Sequence, residues 1–178
     1  MTHPALHHRL ARHDDIPALT GIMNLAIAEL LKPYLNQTEI AASRALMGLD
    51  SQLIEDGTYF VIEQDDALAG CGGWSRRATM YGGDRSPGRD GALLDPARDA
   101  ARVRAMYTHP DFVRRGVGRL ILSLCEEAAR SEGFRRAELV ATKAGEPLYR
   151  ACGYQPVENF MDDRGGAPVP LLRMSKAL

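Results

Sequence analysis

No Cys-x-x-Cys pair occurs in these 178 residues, and the three cysteines, Cys71, Cys125 and Cys152, lie far apart. That spacing points to neither a disulfide framework nor a thiolate zinc site, and it fits a reducing, cytoplasmic setting. No apolar run approaches the roughly 20 residues of a membrane span. The first residues, Met1 to His8, lack the apolar stretch of a secretory signal. An excess of one charge is missing too. The formal net charge is -1, so bulk electrostatics draw the chain to neither nucleic acid nor an anionic membrane. A metal-ligand cluster is equally absent. His3, His7, His8 and His13 crowd the N-terminus, but Pro4 separates the one helix-spaced pair, and a solvated terminus is expected there. No metal is expected.

What is present is ordinary for a folded chain: 45% hydrophobic and 25% charged residues, enough for a sizeable core in one domain. We read that domain as 1-178, with a flexible loop at 75-101. His8 to Arg12 is a short candidate strand. Asp14 and Asp15 offer an N-cap, Pro17 sits in the first turn, and Ile16, Leu19, Ile22, Met23, Ala26 and Leu30 form an apolar stripe. Lys32-Pro33-Tyr34 breaks that helix. A second helical region spans about 38-56, weakened at Gly48 and ended by Gly57. Strands are expected at 58-63 and 67-74. The glycines Gly70, Gly72 and Gly73 suggest a bulge or a close backbone approach in the second of these. The loop 75-101 reads as either an acceptor-side lid or a solvated insertion. Strands at 102-108 and 136-142 flank a long helix and make a parallel βαβ unit. A short helix at 146-151 and strands at 154-161 and 169-174 complete the chain. Two apolar C-terminal strands leave a homodimer open.

The chain is organised around Met106 to Arg130. Val117, Leu120, Ile121, Leu124 and Ala128 give the helix one apolar face, with Glu126, Glu127 and Arg130 mostly off it and Cys125 near it as a buried thiol. The helix starts near Gly116, after Arg114 and Arg115 and before Gly118 and Arg119. Its first N–H groups lack intrahelical partners and carry partial positive charge. Two glycines admit a ligand close to the backbone, and three arginines add full charges. This is a site for a pyrophosphate or a similar anion. A P-loop would need Gly-x-x-x-x-Gly-Lys-Ser/Thr, which is absent. A dinucleotide fingerprint would need a third glycine where Ile121 stands. Glu138, at the distance of its ribose-binding acid, lies mid-strand.

The run resembles the acetyl-coenzyme-A motif Gln/Arg-x-x-Gly-x-Gly/Ala of the GNAT N-acetyltransferase superfamily. The preceding strand and the Tyr149 to Tyr154 segment, Tyr-x-x-x-Gly-Tyr, fit the same family. Val113 stands at the motif's first position, and Thr142 stands where the family often has asparagine. The resemblance covers about Arg102 to Pro156.

It implies an α/β (α+β) fold with a mixed, mostly antiparallel sheet, a splayed parallel strand pair and helices on both faces. It also implies acetyl-CoA as acetyl donor and transfer to a primary amine, on a small molecule or a peptide, by direct attack on the thioester. By that resemblance the pantetheine arm falls on Met106, Tyr107 and Thr108. The pyrophosphate falls on Arg114, Arg115, Gly116, Val117, Gly118 and Arg119, and Thr142, a further coenzyme-side residue, ends the second splayed strand. Tyr149 takes the place of the general acid. Tyr34 is an acceptor contact or a hydrophobic clamp. Trp74 floors an acceptor pocket or packs in the core. His109, Glu138 and Glu158 are candidate bases, none preferred. Two other readings keep the coenzyme site: a non-catalytic acyl-CoA-binding or sensing module, and transfer of another acyl group.

Overall fold

The apolar alternation and helical stripes resolve into a single seven-stranded sheet in the order β1-β2-β3-β4-β5-β7-β6. The computed structural model describes residues 5-178, so His3 of the N-terminal histidines lies outside them. The elements are β1 (His7–Leu10), α1 (Ile16–Leu30), α2 (Gln37–Ser43), α3 (Ser51–Glu55), β2 (Tyr59–Gln64), β3 (Ala67–Ser75) and β4 (Ala101–Thr108). They continue with α4 (Val117–Ser131), β5 (Arg136–Ala141), α5 (Glu146–Ala151), β6 (Gln155–Asp162) and β7 (Val169–Ala177). Every neighbouring pair is antiparallel except β4 and β5. That parallel pair meets only at Ala101–Ala137 and Arg102–Glu138, after which the two strands diverge. One core packs α1, α2 and α3 on one face of the sheet. A second packs α4 and α5 on the other.

Several expectations shift in detail. The helical region 38-56 is two helices, because Gly48 takes φ 130 and the chain turns between them. Asn36 and Glu39 form a capping box on α2, and Asp50 accepts from Gln52 N at the start of α3 (3.2 Å). Asp15 does not cap α1 with its side chain. Its carboxylate accepts from the Arg9 guanidinium (2.8 Å) and from Arg12 N, closing a 3-10 turn ahead of the helix.

On α4 the buried stripe is Val117, Ile121, Leu122, Cys125, Glu126 and Ala129, rotated from the expected face. Glu126 is therefore buried rather than off the stripe. Its cost is offset by Lys176 of β7, 2.8 Å away, and Arg130 at 3.5 Å. The long-range lysine is what permits the rotation.

The glycines of β3 act as expected. Added Cβ atoms would run into Val117 and the Tyr107 carbonyl at Gly70, into Ile121 and Met106 at Gly72, and into the Thr58 carbonyl at Gly73. Bare backbone on β3 thus lets α4 lie close against the sheet. The segment 75-101 holds no long element. Backbone bonds join Ala78 to Ala92 and Thr79 to Asp90, and an isolated bridge pairs Arg77 with Leu93. Arg77 pairs with Asp56 (2.7 Å), Arg89 with Asp50 (2.8 Å), and Tyr81 donates to Asp162 (2.6 Å).

Candidate active site

A cleft of about 660 Å³ passes through the sheet where β4 and β5 part. On the α4 side it is lined by Val113, Arg114, Gly116, Val117, Gly118 and Arg119, by Thr142, and by α5 through Tyr149. On the α1 side it is lined by Ile27, Leu31, Leu46, Met47, Met80, Tyr81 and Leu171. β4 runs between them.

The start of α4 follows from its glycines. Gly116 is the N-cap at φ 88 and offers no side-chain acceptor, so the first-turn N–H groups have no capping side chain. Arg114 takes φ 65, a left-handed conformation that costs a non-glycine residue of order 1–3 kcal/mol and tends to mark functional loops. A Cβ at Gly118 would collide with Leu148, so the helix start lies directly against α5. Arg114 and Arg119 are exposed and line the cleft. Arg115 does not: it lies over the Phe112 ring (5.1 Å) and reaches Gln64 (3.4 Å).

β4 is bulged in the middle of the cleft. Gly73 faces Arg104 and Cys71 faces Tyr107, so Gly72 opposes both Ala105 and Met106. Ala105 takes φ 52, and its carbonyl accepts from the buried Tyr59 hydroxyl (2.7 Å). A bulge leaves one residue out of the ladder and re-aims its neighbours. Met106, Tyr107 and Thr108 all line the cleft.

Of the four tyrosines that line it, Tyr149 and Tyr107 are the most deeply set. The Tyr149 hydroxyl lies 3.8 Å from Met106 Sδ, and its ring stands edge-on to Tyr154 at 6.1 Å. Gly145 leaves room for that ring, since a Cβ would come within 2.8 Å of it. The Tyr107 hydroxyl accepts from Gly48 N (2.8 Å). Burial, above all, raises both phenols, so both hold their protons at neutral pH. Thr142 Oγ1 accepts from Gly145 N at 3.3 Å.

Tyr34 lines the α1 end, half exposed, whereas Trp74 lies outside the cleft. Trp74 is 2% exposed, edge-on to Phe134 (5.9 Å) and covered by the Arg76 guanidinium (5.2 Å). The candidate bases are also elsewhere. His109 Nδ1 accepts from Asp111 N, capping a 3-10 turn. Glu138 is held by Arg102 (2.8 Å), and Glu158 lies 3.6 Å from Arg173. Cys71 and Cys125 are buried, and burial pushes the Cys71 thiol up to about 12, so neither is a ready nucleophile.

Sequence reasoning missed Arg104. It alternates with Val103 and Ala105 along β4, yet it is 4% exposed, 2.7 Å from the buried Asp50 carboxylate and hydrogen-bonded to the Gly82 carbonyl. Its partners lie in distant segments, so no local signal marks it. Among the described residues, no group of three or more His, Cys, Asp or Glu is placed to hold a metal ion. No helix there is long and apolar enough to cross a membrane.

Comparison with known proteins gives three findings. A family model described as an acetyltransferase (GNAT) domain matches residues 55-156, more than half of the chain. A search of curated proteins found no match. Among solved structures, a GCN5-related N-acetyltransferase from Rhodopseudomonas palustris superposes with a TM-score of 0.71 at 18% identity, covering 100% of this chain and 98% of that one. A ribosomal-protein-alanine N-acetyltransferase from Brucella melitensis gives 0.64 at 20% identity, over 97% and 99% of the two chains. The PaiA N-acetyltransferase from Thermoplasma acidophilum, solved in complex with coenzyme A, gives 0.63 at 12% identity, over 98% and 99%. At these identities the likeness is one of fold.

Proposed function

The chain belongs to the GNAT acetyltransferase family and is an acyltransferase, and we propose that it moves an acetyl group from acetyl-CoA to a primary amine by direct attack on the thioester. The observation that carries this is the through-sheet cleft. A helix start without a capping side chain and the bulged strand β4 meet there with a half-buried tyrosine. Arg114, Gly116, Val117, Gly118 and Arg119 fit a pyrophosphate, because first-turn N–H groups and two exposed guanidiniums converge where glycines admit close approach. Arg115, turned toward Gln64, contributes longer-range charge. Met106, Tyr107 and Thr108 present backbone to the pantetheine arm in the gap that β5 leaves, with Thr142 just past the end of the opposite strand. Tyr34 borders the acceptor, and Trp74 holds the core beside α4. The whole chain works as one cytoplasmic domain, with 75-101 as the cover of the acceptor side.

The amine nitrogen attacks the carbonyl carbon. An N–H released from the β4 ladder by the bulge stabilises the oxyanion. When the carbonyl re-forms, the carbon–sulfur bond breaks. Tyr149 gives its proton to the departing sulfur and takes one from the new amide nitrogen. Because burial raises this phenol, protonating a thiolate of ordinary pKa about 8.5 is favourable only when the two transfers are coupled.

Thermal shift with coenzyme A, NAD and ATP tests the donor site. Thiol release by wild type and Tyr149→Phe then separates a transferase from a binding module. Equal rates in both proteins with every amine offered would remove Tyr149 from the mechanism.

A further inference from the structure

Every ionised side chain that lines the cleft is an arginine: Arg104 from β4, Arg114 before α4 and Arg119 within it. The other titratable groups there are Tyr34, Tyr81, Tyr107 and Tyr149. No carboxylate or imidazole lines it among the described residues. Behind the α1 side, Arg104 and Arg89 share the single carboxylate of Asp50, at 2.7 and 2.8 Å. This trio is buried or half-buried and carries one net positive charge. Two polar groups of that side are already engaged. The Ser43 hydroxyl donates to the Glu39 carbonyl (2.9 Å), and the Tyr81 hydroxyl donates to Asp162 and accepts from Arg164 (2.8 Å). Apart from the half-exposed Tyr34, what remains toward the cavity is apolar: Ile27, Leu30, Leu31, Leu46, Met47 and Met80.

We infer that the acceptor is a primary amine carried on an apolar group, bound in its uncharged form, and that polycationic amines are excluded. The inference rests on the transferase reading above. An ammonium entering this half meets positive charge and no carboxylate to pair with. A neutral amine meets neither penalty, and its apolar body gains the lining. The stoichiometry needs no enzyme base. A neutral amine forms the carbon–nitrogen bond, the carbon–sulfur bond breaks, and the proton lost from nitrogen equals the one gained by sulfur. The amine of a peptide beginning with an apolar residue and a free arylalkylamine share this chemistry. Their pKa values differ, near 8 for an α-amino group and, for an alkylamine, close to the lysine value of about 10.

The test compares phenethylamine, a peptide beginning with leucine, and spermidine as acceptors at saturating acetyl-CoA, by thiol release across pH. The expected result is kcat/KM at least about tenfold higher for one or both apolar amines than for spermidine, about 1.4 kcal/mol. For each amine it should rise with pH until that amine's own pKa. The better of the two identifies the source. A preference for spermidine, or one pH profile shared by amines of different pKa, would overturn the inference. So would silence toward both apolar amines in a protein that binds coenzyme A. Met47→Glu should lower use of the apolar amine and raise use of spermidine, and unchanged kinetics for both would also count against it. If coenzyme A itself produces no thermal shift, the transferase reading fails instead.

Discussion

The α4 side of the cleft is built around a helix start with no capping side chain, whereas the α1 side is lined mainly by apolar side chains. The α4 side is assembled from one continuous run, Val113 to Arg119, with Thr142 and Tyr149 added from the next two elements. The α1 side draws on α1, the α2–α3 connection, the segment 75-101 and the start of β7. Backbone N–H groups at a helix start recognise an anion whatever the neighbouring side chains are, so a short motif suffices. Apolar side chains recognise only by shape and exclusion, so many segments must converge. The first arrangement can stay constant while the second changes, which is how one fold serves many acceptors.

The comparison is broken most severely by Tyr149→Phe. Loss of a general acid should lower kcat by about 100-fold or more while the coenzyme A thermal shift is kept. Gly72→Val comes next. Its methyls would meet Ile121 and Met106, 2.7 and 2.8 Å from the first added carbon. Overpacking should cost about 2 kcal/mol in urea unfolding, and displaced α4 should weaken coenzyme A more than the amine. Arg119→Ala should weaken coenzyme A by about 1 kcal/mol, less at high salt, and leave amine selectivity alone.

Asp162→Asn probes the α1 side through Tyr81. The Arg164 hydrogen bond, first of all, holds the Asp162 carboxyl at about 2, below its ordinary value. A lowered carboxyl stabilises the fold fully above the unfolded value near 3.9 and loses that contribution as pH falls toward the folded one. Arg164 is 35% exposed, so solvent screening reduces the expected loss to about 1 kcal/mol at neutral pH. The wild-type and variant melting curves should converge as the pH falls through the folded value and below about 2, and a difference that persists below it would assign the effect to packing. Trp74→Phe should matter least to catalysis. Its melting temperature should fall, with KM for both substrates unchanged, because the indole packs on Phe134 outside the cleft.

The asymmetry between the two sides also governs what the sequence reveals. Gly116, Gly118 and their arginines are legible because a helix start needs only neighbours in the chain. Most inner strand limits are legible for the same reason, and β5 (Arg136–Ala141) and α5 (Glu146–Ala151) fall where periodicity and glycines place them, whereas β7 runs three residues past its expected end, to Ala177. Arg104 is not legible. An alternating strand gives no hint that Asp50 will meet its guanidinium from across the fold. Glu126 misleads in the same way, since Lys176, 50 positions away, lets an acid turn inward. Trp74 shows the converse: the sequence puts it at the end of a strand, and only Phe134 and Arg76 decide which side covers it.

By itself the sequence determined most of the elements, the glycine-bearing helix start and the family resemblance, because each rests on spacing within a few tens of residues. Tertiary structure decided how far β4 and β5 diverge, which face of α4 is buried, and the charge behind the α1 side of the cleft. Those depend on pairings between distant residues, whose burial is favourable only once the fold has brought them together.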